Sequence, residues 1–142
     1  MGTTIAGSAR SGSVSAEVAV VERVYDAFGR GDAETIFALF HPEGTIYQSQ
    51  ALPWGGTYHG HAGLAEFFGK LTGAIASKVE TEHVIDDLEG HVVAIGRTRG
   101  HVLASGRPFD VAETHVWTVA EGRILRFESY IDSGSMREAL GL

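Results

Sequence analysis

Residues 111–119 read Val-Ala-Glu-Thr-His-Val-Trp-Thr-Val. A period of two sends Val111, Glu113, His115, Trp117 and Val119 to one face and Ala112, Thr114, Val116 and Thr118 to the other. The bulky apolar members mark the first face as interior. A carboxylate and an imidazole buried there cost on the order of several kcal/mol unless hydrogen-bonded, so they need partners or a wet pocket. A satisfied polar network with no catalytic use would place the same two residues in the same way. Glu113 and His115 are thus candidate catalytic groups, and Trp117 is a candidate wall for a ligand.

Other chemistries are poorly supported. Zero cysteines exclude disulfides, thiolate zinc sites and a cysteine nucleophile. Of seven histidines only His59 and His61 are close in sequence, in a glycine-rich turn with no identifiable third ligand, so no metal is expected. Walker and dinucleotide glycine patterns are missing, as is a Gly-x-Ser-x-Gly elbow, so no nucleotide cofactor or serine nucleophile is implied.

The positioning elements follow from periodicity. Ser15 suits a helix N-cap, and Val18, Val21, Val24, Tyr25 and Phe28 recur at helical spacing before Gly29 and Gly31. Asp32 caps a second helix carrying Ile36, Phe37, Leu39 and Phe40, which stops before Pro42. A short strand is expected over 45–50, a Pro/Gly loop over 51–60, and a third helix carrying Leu64, Phe67, Phe68 and Leu71. From residue 77 the period becomes two, with strands over 78–87, 91–104, 109–119 and 123–131 joined by short turns that make neighbours antiparallel. Asp132 suits an N-cap for a last helix over 135–140, and strict alternation puts it opposite Leu125, Phe127 and Ile131. The expected fold is α+β, a curved antiparallel sheet packed against three N-terminal helices.

With 142 residues the chain has the length of one domain, read as a mobile Gly/Ser/Thr-rich tail over 1–14 and a single domain over 15–142. A net charge of −7 argues against a nucleic-acid partner, which would require a basic stripe. No apolar run approaches membrane-spanning length and no secretion signal is visible, so a cytoplasmic location is expected. Ala112, Thr114, Val116 and Thr118 form a small, mildly apolar strip that suits sheet-on-sheet contact, so a homodimer is expected.

Four stretches, 25–32, 52–60, 115–119 and 122–132, carry a resemblance to the SnoaL-like branch of the nuclear transport factor 2-like superfamily. That superfamily has a cone-shaped, cystatin-like fold shared with ketosteroid isomerase. The resemblance implies a conical pocket between the sheet and the first helices, dimers through the outer sheet face, no metal or organic cofactor, and proton transfers on polyketide-like or other small carbonyl compounds.

Residue by residue, it raises His115 as a pocket histidine preceding the Trp. It matches Tyr130-Ile131-Asp132 to an ending whose Asp is a pocket acid or base, so Asp132 becomes a third catalytic candidate and Tyr130 a ligand contact. It places Trp54 near the pocket mouth, as an aromatic lid or a core plug, with Tyr47 equally ambiguous. Alignment with ketosteroid isomerase puts Gln48 where that enzyme has its catalytic Asp and Val24 where it has its oxyanion-hole Tyr; Tyr25 is one residue out, about 100° round the helix. A Gln cannot take a proton from carbon at neutral pH, which disfavours steroid isomerisation, but it can donate a hydrogen bond to a substrate oxygen. The implied function is cyclisation, isomerisation or dehydration of a small apolar or aromatic carbonyl compound, with His115 and Asp132 handling protons near neutral pH and Gln48 or Glu113 polarising an oxygen. Epoxide opening and a non-catalytic binding or dimerisation module are the alternatives.

Overall fold

A computed structural model describes residues 14–142, and the tail expected over 1–14 lies, apart from Val14, outside the described residues. Ser15 accepts a hydrogen bond from the Val18 N–H at 3.1 Å and starts α1 (Ala16–Arg30). That helix buries Val18, Val21, Val24 and Tyr25 along one stripe. It ends at Gly31, whose φ of 68° is the left-handed conformation that glycine adopts without a Cβ penalty. Asp32 then accepts from the Thr35 N–H and caps α2 (Ala33–Leu39).

β1 (Phe40–Gln48) begins earlier than the sequence pattern implied and runs through Pro42. Its register against β6 (Arg123–Ile131) jumps between Phe40 and Thr45, an irregularity that accommodates a residue with no N–H to donate. The expected Pro/Gly loop contains a short edge strand, β2 (Gly56–His59), antiparallel to β1. Then come α3 (Gly60–Ala74), β3 (Ile75–Asp86), β4 (His91–Val102), β5 (Pro108–Ala120), β6 and α4 (Ser133–Leu140).

The six strands lie in the order β2-β1-β6-β5-β4-β3. Neighbours are antiparallel, as the short turns required, except β1 and β6, which are parallel. Two glycines on the concave side of β4 let β3 fold over it. A Cβ on Gly96 would lie 1.9 Å from the Glu80 carbonyl oxygen, and one on Gly100 would lie 1.8 Å from that of Ala76. Only a bare backbone fits there, and the sheet curls around it. Helices before a curved sheet give the expected α+β arrangement, with α1 and α3 on the concave face and α4 packed against β5.

A bulge in β6 decides which of its side chains enter the cone. Thr118 pairs with Arg126 and Val119 with Ile124, so Leu125 is the extra residue. Alternation resets there. Ile124, Phe127, Ser129 and Ile131 line the interior, whereas Leu125, expected with them, does not.

Candidate functional site

The concave face brings together a polar row in an apolar setting. His115 on β5 pairs with Ser129 on β6, which pairs with Gln48 on β1, and all three are buried. Glu113 is the next inward residue along β5 and Trp117 the one on the other side. They line a cavity of about 90 Å³ whose other walls include Trp54, Phe67 and Phe127. The expected candidates Glu113, His115, Gln48, Trp54 and Trp117 therefore share one chamber.

The sequence reading missed Tyr25. Its hydroxyl lies 2.6 Å from His115 Nδ1 and accepts the Trp117 indole N–H at 3.0 Å. The other ring nitrogen, Nε2, lies 2.6 Å from Glu113 Oε2. That pair is close but not aligned as a hydrogen bond, and Oε2 is fully enclosed without any aligned donor. A single chain of contacts thus runs Trp117, Tyr25, His115, Glu113. Phe127 packs against both rings, with its centroid 4.9 Å from that of the imidazole and 4.3 Å from that of the indole. Burial pushes the Tyr25 phenol well above its ordinary pKa; the Trp117 hydrogen bond pulls it down, and the Glu113 charge pushes it up again. At neutral pH Tyr25 is therefore a neutral phenol, able to donate.

Gln48 has a defined orientation for a simple reason. The Trp54 indole N–H donates to Gln48 Oε1 at 3.0 Å, and an indole can only donate. The amide oxygen is held against Trp54, leaving the NH₂ end as the group that can serve a ligand oxygen. Trp54 itself is 1% exposed and lines the chamber, so it is wall and core plug at once.

Three expected residues lie elsewhere. Asp132 is exposed and caps α4, accepting from Ser135 N–H at 3.1 Å and Ser135 Oγ at 2.7 Å. These bonds, side chain first, hold its carboxyl below the usual range. This corrects the assignment of Asp132 to the pocket: Phe127, Ser129 and Ile131 take the inner face of β6, so alternation turns Asp132 outward, where it caps α4. Tyr47 and Tyr130 are corrected likewise. Ile46 and Gln48 take the inner face of β1, so Tyr47 takes the outer one and packs against Tyr130 at 5.9 Å between ring centroids. Tyr130 donates its hydroxyl to Glu128 and is 47% exposed.

Among the described residues no group of three or more His, Asp or Glu could hold a metal ion. His61 is tied to the Phe40 carbonyl oxygen through Nε2 at 2.7 Å, and His59 is exposed. No helix among the described residues is long and apolar enough to cross a membrane.

Comparison with known proteins agrees with the fold. The model of a SnoaL-like domain matches residues 21–127. An uncharacterized protein of Mycobacterium tuberculosis is 27% identical over 117 residues, covering 81% of this chain and 88% of that protein. An NTF2-like protein of unknown function from Burkholderia pseudomallei superposes with a TM-score of 0.84 at 25% identity, covering 91% of this chain and all of that one. A protein assigned as a SnoaL-like polyketide cyclase from Jannaschia sp. CCS1 has a TM-score of 0.78 at 21% identity, over 94% and 97% of the two chains.

Proposed function

The chain belongs to the SnoaL-like domain family, and from that premise we propose that it is an enzyme that moves protons on a small, largely apolar carbonyl or polyketide-like compound, giving cyclisation, isomerisation or dehydration. The observation that carries the proposal is the enclosed Glu113–His115 pair, open to an apolar chamber and backed by Tyr25 and Trp117. A carboxylate with an oxygen lacking an aligned donor, facing an apolar chamber, is a competent base toward an acidic C–H or O–H. The Gln48 amide NH₂ can bind the carbonyl oxygen and stabilise charge that develops on it. His115 Nε2 lies beside that carboxylate, 2.6 Å from Oε2. No organic cofactor is required for such a step. The cysteine-free, acidic composition suits the cytoplasm, and the outer strip of Thr114, Val116 and Thr118, half-buried in the single chain, suits a homodimer.

The small cavity favours a second reading, a ligand-binding module without turnover. Epoxide opening loses support, because the chamber lining holds one carboxylate and no arginine. One experiment separates these readings. Simple cyclic and aryl ketones are incubated with the protein in D₂O, and loss of their α-proton signals is followed by NMR. Acceleration by the wild type, reduced about 10²–10⁴-fold in Glu113→Gln, supports proton transfer. Shifts of the Trp117 indole signal on ketone binding, without any exchange, support the binding module and defeat the enzymatic proposal.

A further inference from the structure

Tyr25 Oη has two polar neighbours, Trp117 Nε1 and His115 Nδ1. The indole N–H is only a donor, so the phenol oxygen accepts from it. Among the described residues the phenol's own hydrogen then has one acceptor within reach, the Nδ1 lone pair. That lone pair exists only if the ring hydrogen sits on Nε2, which faces Glu113 Oε2 at 2.6 Å. The reverse chain would have a protonated Glu113 donating to Nε2 and Nδ1–H donating to Tyr25. It would leave an enclosed phenol hydrogen with no acceptor, which buried polar groups avoid. Donor and acceptor counts therefore select one direction.

We propose that Tyr25, held by Trp117, is a positioning residue that fixes His115 as the neutral Nε2–H tautomer, so that Nδ1 is occupied by the phenol, the Nε2–H side faces Glu113, and Glu113 is the group that meets the ligand. This deepens the reading of the cone as the working site and rests on it. It exchanges the roles that the sequence suggested for His115 and Glu113, making the carboxylate the group that meets the ligand. His115 acts through the carboxylate it faces, and Tyr25 occupies the lone pair that a second ring proton would need. Burial keeps Tyr25 a phenol and thus a donor, as this direction requires.

The test needs no substrate. The protein is labelled with ¹⁵N-histidine, and long-range ¹H–¹⁵N correlations are recorded at pH 7, with the His115 signals identified by their loss in His115→Asn. The expected pattern is a single neutral tautomer with Nε2 protonated and Nδ1 bare. A protonated Nδ1, alone or in an imidazolium, would overturn the proposal. In Tyr25→Phe, which keeps the ring, Nδ1 should lose its donor and the ¹⁵N pattern should move toward imidazolium or a mixture; Trp117→Phe should move it less. A folded Tyr25→Phe protein with an unchanged pattern would show that Tyr25 does not position the ring. Should that variant fail to fold, the wild-type spectrum still decides the direction. Absence of ketone exchange alongside the expected tautomer would defeat the enzymatic reading and leave the hydrogen-bond chain standing.

Discussion

The two faces of strands β5 and β6 carry similar chemistry in opposite surroundings. On the inner face Glu113 and His115 stand 2.6 Å apart with side chains 6% and 7% exposed. On the outer face Arg126 and Glu128 stand 2.9 Å apart with side chains 48% and 20% exposed. Bond lengths hardly distinguish them. Their surroundings do, because an exposed pair gains little over its hydrated ions, whereas an enclosed one has already lost its water and depends on its partner. On the proposed function, the inner pair is where a substitution should change chemistry and the outer pair where it should change almost nothing.

The largest expected effect comes from removing the inner partner. His115→Ala takes a buried ring out of the chamber wall and leaves the Tyr25 hydroxyl without its acceptor, and should cost on the order of 2–5 kcal/mol of stability in urea unfolding. Glu113→Gln keeps the shape and removes the charge, so its unfolding midpoint should hold or rise while proton transfer falls about 10²–10⁴-fold. Asp132→Asn, on the far side of the sheet, should leave proton transfer unchanged. A Glu113→Gln protein with wild-type exchange rates, or an Asp132→Asn protein that has lost them, would reverse the assignment of inner and outer roles.

A middle-sized effect is expected where the inner face has no space. Gly96→Ala puts a methyl group against the Glu80 carbonyl and should cost about 1–3 kcal/mol by overpacking. Gly73→Ala in α3, where a Cβ meets nothing within 4 Å, should instead gain about 0.5–1 kcal/mol from helix propensity. Thermal melts of the two variants check both signs. A neutral Gly96→Ala would mean that the curl of the sheet does not depend on that bare backbone.

Alternation made the inner face of β5 legible, because Glu113, His115 and Trp117 sit among large apolar residues at strict spacing. The third inner partner was harder to see. Tyr25 lay on the predicted α1 stripe, but its contact with His115 spans 90 positions, and no local period records such a meeting. A phenol on an apolar stripe was the available signal, since a buried hydroxyl needs a partner. Asp132 shows the opposite failure. Alternation pointed it outward and capping explained it, yet the family resemblance drew it into the pocket. The Leu125 bulge, the parallel β1–β6 pair and the short β2 edge all depend on how distant strands meet, which nearest-neighbour spacing does not contain.

The smallest expected effect belongs to the outer pair. The Tyr130 phenol, and after it Arg126, hold the Glu128 carboxyl below its usual range. A carboxyl lowered in the folded state adds stability above its unfolded value near ~4.3, and that stability disappears as pH falls through the folded value. Arg126→Gln should therefore cost only about 0.2–1 kcal/mol at pH 7. The cost should shrink further in ~1 M salt and vanish once Glu128 is protonated. Tyr130→Phe removes the larger cause and should flatten the acid limb of the melting profile more than Arg126→Gln does. The loss in His115→Ala, which removes a neutral buried ring, should show no comparable salt response. Urea midpoints at two salt concentrations for Arg126→Gln and His115→Ala make the comparison directly. If the outer variant loses as much as the inner one, or the inner loss is screened as readily, burial is not what separates the two faces.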